Sequence, residues 1–118
     1  MQVSFLGTHS ILKDYWLDDQ LPTVTRGLYG NILTKKNVTL EHIQPKSKRG
    51  RDGMDNLALA VKDAHYRRRN RPLFKMLTKE KADRYLKQFE GIKLPDFNGD
   101  LYIKRVNETI ERCFKKGL

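Results

Sequence analysis

The chain has 118 residues, a single cysteine and a formal net charge of +10. This length suits one domain, and one cysteine excludes a disulfide within the chain. No run reaches the roughly 18 apolar residues of a membrane-spanning helix, and the start lacks the basic and apolar regions of a secretion signal. We therefore expect a single domain over residues 1–118, in a cytoplasmic protein without membrane contacts.

The positive charge is concentrated in the middle of the chain. Residues 35–75 contain twelve Lys and Arg against four acidic residues, whereas the segment before contributes a net charge of about −1 and the segment after about +3. A basic excess favours polyanionic partners through counterion release, although charge alone does not distinguish DNA from RNA or an acidic membrane. The central segment is where we look for functional chemistry first.

The first third of the chain gives weak signals. Residues 11–20 leave a short strand and a helical turn equally open. Pro22 can begin a short helix through Leu33, and that helix would pack four residues on the core, namely Leu28, Tyr29, Ile32 and Leu33. His9 is expected to be structural or exposed.

The central segment predicts the order strand, loop, strand, helix. Residues 38–43 alternate with β-branched residues present, which is the period of a strand. Residues 44–55 are dense in Pro, Gly, Ser and charge and predict a long exposed loop. Residues 57–60 predict a strand that pairs back on the first, and residues 62–70 a helix that ends before Pro72.

The last third predicts a helical extension over residues 76–118. Thr78 is the expected N-cap of a helix that runs to Phe89 and ends by Gly91. A loop through Pro95 and Gly99 precedes a last helix, whose buried face is formed by Ile103, Val106, Ile110, Cys113 and Phe114. The fold class is therefore α+β.

The segment 38–72 carries the most specific pattern, an acidic-His pair, a loop, an Asn and a second His. Its members are Glu41-His42 at a strand end, Pro45 and Ser47 in the loop, Asn56-Leu57, and His65 nine residues after the Asn. In this order and spacing, about a third of the chain resembles the HNH nuclease family. The resemblance implies a ββα-metal core, a β-hairpin with a long loop plus a helix, with flanking α-helices.

The same residue types suit phosphodiester hydrolysis, which needs a nucleophile from water and stabilisation of charge on the phosphate and on the leaving oxygen. A neutral imidazole accepts a proton from water well, so His42 is the candidate general base. The carboxylate of Glu41 and the imidazole of His65 can hold one divalent metal ion between hairpin and helix. Successive side chains of a strand point to opposite faces. The adjacent residues Glu41 and His42 can therefore contact one phosphate only if they lie at a strand end or distortion.

The resemblance further implies an enzyme, an endonuclease that hydrolyses DNA and leaves a 3′-hydroxyl and a 5′-phosphate. It assigns Asn56 to the catalytic set, as the residue whose amide tethers the long loop and fixes the backbone around His42.

Departures from the family pattern bear on the metal. Many members hold a structural zinc with paired cysteines, which this chain lacks, so we expect no structural zinc. Some members have a further His one helical turn after the second, where this chain has Arg69. Fewer protein ligands favour Mg²⁺ or Mn²⁺.

Arg49-Gly50 stands where many members have two glycines, and Arg49 is instead a candidate phosphate contact.

Basic residues of the loop and of the predicted helix are expected to hold a DNA duplex by its phosphates, which carries little sequence information. They are Lys46, Lys48, Arg49 and Arg51 in the loop, and Arg67, Arg68, Arg69 and Arg71 in and after the helix.

Other interpretations stay open at this stage. A degenerate HNH fold could bind nucleic acid without cutting it, and a basic assembly protein would explain the charge but not the Glu-His, Asn, His order. Taken singly, His42 is an ordinary strand-end residue, and Asn56 a cap. Target specificity is not predicted, and it could come from a homodimer or from a recognition partner protein.

Overall fold

A computed structural model describes residues 11–118, so His9 lies outside the described range. Within this range the chain forms an α+β domain with four helices and two small antiparallel sheets. No helix among these residues is long and apolar enough to cross a membrane. The elements are α1 (Ile11–Leu17), β1 (Val38–His42), β2 (Leu57–Val61), α2 (Lys62–Arg68), α3 (Lys79–Lys87), β3 (Lys93–Leu94), β4 (Phe97–Asn98) and α4 (Gly99–Lys116).

The central hairpin and helix follow the predicted order. β1 pairs antiparallel with β2, with Val38 opposite Val61 and His42 opposite Leu57. All five residues of β2 are buried, and α2 begins at the residue after β2 ends. The helix stops at Arg68, two residues earlier than predicted, because Arg69 adopts a positive φ of 48°. Both strands are confirmed. Because α2 follows β2 directly and Val61 pairs with Val38, the helix begins beside the first residue of β1.

The prediction of a helix from Pro22 to Leu33 is wrong. This segment consists of turns with one isolated β-bridge between Arg26 and Ile32. Gly27 lies so close to β2 that a Cβ there would come within 2.9 Å of the Ala60 Cα. The backbone N–H of Leu28 donates to the Leu59 carbonyl, so the segment covers the outer edge of β2 instead of coiling. Ile32, expected in the core, is 60% exposed.

The two C-terminal helices support the hairpin from one side. α3 has the predicted N-cap, since the Thr78 hydroxyl accepts from the Lys81 N–H. The phenol of Tyr85 accepts from the Leu59 N–H, and that of Tyr102 donates to the Leu57 carbonyl, so α3 and α4 both bind β2. Burial raises the pKa of both phenols, which keeps them protonated. The predicted loop before α4 contains a short hairpin, β3 and β4, that the sequence did not indicate.

The connection between β1 and β2 is more ordered than the exposed loop expected from its composition. It contains two 3-10 turns, Lys46–Lys48 and Met54–Asn56, and Met54 is buried. The hydroxyl of Thr109 in α4 donates to the Asp55 carbonyl, which fixes the end of the loop to the last helix.

Arg49 occupies a backbone conformation that favours glycine. It ends the first 3-10 turn with φ 70°, in the left-handed region. Gly50 must remain glycine, because a Cβ there would lie 1.7 Å from the Gln44 carbonyl oxygen. The loop thus requires glycine at residue 50 and holds Arg49 in a conformation that glycine adopts more readily.

Replacing Arg49 with glycine is expected to raise the free energy of unfolding by about 0.5–1 kcal/mol, since the left-handed region penalises a Cβ. Urea denaturation measures the change. Arg51→Gly is the matched control, because Arg51 has no positive φ and glycine there only increases the entropy of the unfolded chain. Equal effects of the two variants would show that the conformation at residue 49 is not strained.

Candidate active site

Glu41 lies at the centre of the candidate site. Its side chain projects from the end of β1 into the protein, and the residue is only 3% exposed. One carboxylate oxygen lies 2.7 Å from Nδ1 of His65 on α2. The other accepts a 2.5 Å hydrogen bond from the phenol of Tyr29 and lies 3.4 Å from a guanidinium nitrogen of Arg68. The hairpin and the helix thus bring together the predicted carboxylate and imidazole.

Tyr29 is a site residue that the sequence did not reveal beyond its expected place in the core. Burial and the negative charge of Glu41 both raise the pKa of its phenol well above the usual range. The phenol therefore stays protonated and donates to the carboxylate. Because 12 residues separate Tyr29 from Glu41 and the segment between them is irregular, no local pattern could indicate this contact.

The placement of Arg68 corrects the prediction that it contacts nucleic acid. Its residue exposure is 1%, so a phosphate cannot reach its guanidinium. It donates instead to the His42 carbonyl at 2.9 Å and to the Arg71 carbonyl at 3.0 Å, besides its contact with Glu41. One guanidinium nitrogen, Nη2, is buried without a hydrogen-bond partner among residues 11–118.

Helical spacing is the sequence signal that could have placed Arg68 in the candidate site. Residues three apart share a helix face, so Arg68 lies on the same side of α2 as His65. Its charge compensates that of Glu41, and its hydrogen bond to residue 42 fixes the end of β1.

His42 follows Glu41 as the last residue of β1, but its side chain contacts a different carboxylate. Its Nε2 lies 2.7 Å from an oxygen of Asp52 in the loop, and the second oxygen of Asp52 lies 3.2 Å from the Lys46 ammonium. The hydrogen bond with His42 and then that with Lys46 lower the pKa of Asp52, so this carboxyl group is ionised at neutral pH.

An ionised carboxylate only accepts hydrogen bonds. The proton of neutral His42 therefore belongs on Nε2, and Nδ1 keeps its lone pair. Asp52 is a second residue that the sequence analysis missed. Its place in a loop rich in charge gave no reason to single it out.

Asn56 holds the loop together from a buried position. Its side-chain oxygen accepts from the Gln44 N–H at 2.8 Å, and its amide nitrogen donates to the carbonyls of Gln44 and Arg51 at 3.0 and 2.9 Å. All these partners are backbone groups of the loop that begins next to His42. The geometry therefore suits a positioning residue, without direct contact to a substrate.

The other basic residues predicted to contact DNA lie in the loop after β1 and in α2 with the residues just after it. The Ser47 hydroxyl donates to the Asn70 side-chain oxygen at 2.9 Å, which joins the first 3-10 turn to the chain just after α2. Lys48 is half-buried and the Lys46 ammonium is paired with Asp52. Of the cations predicted to contact DNA, the exposed ones are Lys46, Arg49, Arg51, Arg67, Arg69 and Arg71.

Glu41 and His65 offer a carboxylate oxygen and an imidazole nitrogen as the two protein ligands that a divalent ion could have here. Glu41 Oε1 and His65 Nδ1 lie 2.7 Å apart and share a hydrogen bond, so an ion held by both would have to replace the proton between them. Residues 11–118 contain no group of three or more His, Cys, Asp or Glu that could hold a metal. Water and substrate oxygens would have to complete the coordination, which is the usual habit of Mg²⁺.

Comparisons with known proteins add no relative to this geometry. No family model matches the chain, and no match was found among curated proteins or solved structures.

Proposed function

We propose that the chain is a metal-dependent endonuclease of the HNH, or ββα-metal, type that hydrolyses phosphodiester bonds in DNA. The observation that carries the proposal is the 2.7 Å contact between Glu41 and His65, next to a His42 that Asp52 orients. Glu41 and His65, 24 positions apart, meet beside the hairpin, and His42 follows Glu41 in the chain, in the order that the HNH resemblance implies.

His42 is the general base in this proposal. With Nε2–H donated to Asp52, Nδ1 accepts a proton from the attacking water, and the carboxylate of Asp52 stabilises the imidazolium that forms. Arg68 holds the carbonyl of His42, and Asn56 holds the backbone at Gln44. Arg68 and Asn56 thus restrict the His42 imidazole to one position, which lowers the free-energy cost of reaching a productive geometry.

Glu41 and His65 would hold the metal ion, with Mg²⁺ or Mn²⁺ the expected ion. When bound, it would polarise the scissile phosphate and stabilise charge on the leaving oxygen. Arg68 compensates part of the charge of Glu41, so we expect modest affinity and dependence on millimolar metal. The hydrolysis would leave a 3′-hydroxyl and a 5′-phosphate, as the resemblance implies.

Binding without cleavage is the second candidate function, and one observation favours it. Glu41 already has an internal counter-ion in Arg68 and an internal donor in Tyr29. A carboxylate satisfied in this way can serve the fold alone, and the exposed cations would still bind phosphates.

Nicking of a supercoiled plasmid separates the two candidates. We expect relaxed and linear DNA with Mg²⁺ or Mn²⁺ and intact supercoiled DNA with EDTA. Gel-shift measurements in EDTA monitor binding in parallel. Binding without nicking at any metal concentration would favour the second candidate, and nicking that persists in EDTA would contradict a metal-dependent mechanism.

A further inference from the structure

A cavity of about 480 Å³ lies between α2 and the segment before β1. Its charged lining consists of Lys36, Lys62 and Arg67 with a single acidic residue, Asp63, and Ile32 adds an exposed apolar surface. The net positive lining suits an anionic group, and the apolar side chain gives the cavity one surface that water solvates poorly. We refer to it as the α2 cavity.

Tyr66 lies on α2 between His65 of the candidate active site and Arg67, which lines the α2 cavity; Tyr66 itself does not line it. It is 66% exposed, the highest value among the large apolar side chains described. Its ring meets that of His65 edge-on, with centroids 5.7 Å apart. Helical spacing places Tyr66 one turn after Lys62 and Asp63, which line the cavity. The exposed ring is not part of the hydrophobic core.

Exposed aromatic rings among cations are typical of sites for unpaired nucleic acid. The cations follow the phosphates, and the ring stacks on a base. In a paired duplex the faces of the bases are covered by their neighbours, so a ring on the protein surface has no base to stack on.

We propose that Tyr66 and the α2 cavity form a subsite for an unpaired nucleotide of the substrate strand. The base stacks on the Tyr66 ring, and Lys36, Lys62 and Arg67 hold its phosphate. The inference rests on the proposed nuclease function and assigns its substrate class, which is single-stranded or locally unpaired DNA.

Binding in EDTA tests the subsite apart from cleavage. The probes are one DNA sequence as a single strand, as a full duplex and as a duplex with a three-nucleotide bubble, each with 2-aminopurine at an unpaired or matching position. We expect Tyr66→Ala to weaken binding of the single strand and the bubble by about 5- to 100-fold, with less than twofold change for the duplex. Wild type and Tyr66→Phe should bind alike and alter the 2-aminopurine fluorescence, which reports stacking.

Phe74→Ala is the matched control, because Phe74 is 53% exposed and lies in the turn Leu73–Lys75, outside the helix that carries Tyr66 and the cavity-lining Arg67. The subsite is overturned if Tyr66→Ala weakens all three probes equally, if Phe74→Ala has the same effect, or if no probe binds. Cleavage with Mn²⁺ is measured on the same probes. Tyr66-dependent binding with no cleavage would support the subsite and overturn the nuclease function. Cleavage of the single strand and the bubble at the wild-type rate by Tyr66→Ala would overturn the subsite alone.

Discussion

His42→Ala is expected to lower the rate of plasmid nicking by about 10²–10⁴-fold, the usual contribution of a general base. The imidazole is partly exposed, and among residues 11–118 its side chain hydrogen-bonds only with Asp52, so the fold should survive its removal. DNA affinity in EDTA should change by less than twofold. Single-turnover nicking at saturating Mn²⁺ measures the chemical step without a contribution from binding.

Asp52→Asn provides an intermediate variant in the same assay. An amide can still contact Nε2 but no longer stabilises the imidazolium, so we expect a loss of about 10- to 100-fold. Asp55→Asn is the matched control in the same loop, since within residues 11–118 the Asp55 side chain forms no hydrogen bond and only the backbone carbonyl accepts one, from Thr109. Nicking by His42→Ala at the wild-type rate would remove His42 from the mechanism.

Arg68→Met is expected to lower the free energy of unfolding by about 3–5 kcal/mol, the cost of leaving one partner of a buried ion pair uncompensated. Methionine fills much of the space of the arginine stem but supplies none of its donors. Glu41 would keep its charge in a buried site, and the carbonyls of His42 and Arg71 would each lose a donor. Urea denaturation followed by the fluorescence of Trp16 measures the loss.

Two further variants separate this ion pair from a general effect of losing an arginine. Arg67→Met removes the exposed neighbour and should change stability by less than about 0.5 kcal/mol. Glu41→Gln combined with Arg68→Met removes the uncompensated charge and should recover part of the loss. If Arg67→Met and Arg68→Met destabilise equally, Arg68 does not stabilise the buried carboxylate.

The hairpin and the terminal helices could be predicted because their signals are local. Alternation gave β1, and the apolar run after Asn56 gave β2. The cap at Thr78 is likewise set by residues that lie within four positions of each other. Segment 22–33 failed for the opposite reason. Gly27 contacts Ala60, and the side chain of Gln88 binds the backbone N–H of Thr25, so long-range contacts determine its shape.

The candidate site could be predicted only for residues with a characteristic spacing. Glu41, His42, Asn56 and His65 follow such a pattern, whereas Tyr29 and Asp52 contact them through irregular segments that carry no periodicity. Arg68 shows a second difficulty. It lies in a run with Arg67 and Arg69, and composition alone cannot separate the buried member from its exposed neighbours.

Paramagnetic broadening by Mn²⁺ is the most direct measurement of the proposed metal site. In substoichiometric titrations, the NMR signals of Glu41 and the imidazole of His65 should broaden first and those of His42 next. His65→Ala should weaken the effect while the spectrum remains that of a folded protein, because the buried pair of Glu41 and Arg68 is left intact. Broadening centred on surface carboxylates such as Asp18 and Asp19, unchanged in His65→Ala, would contradict a metal held between the hairpin and α2.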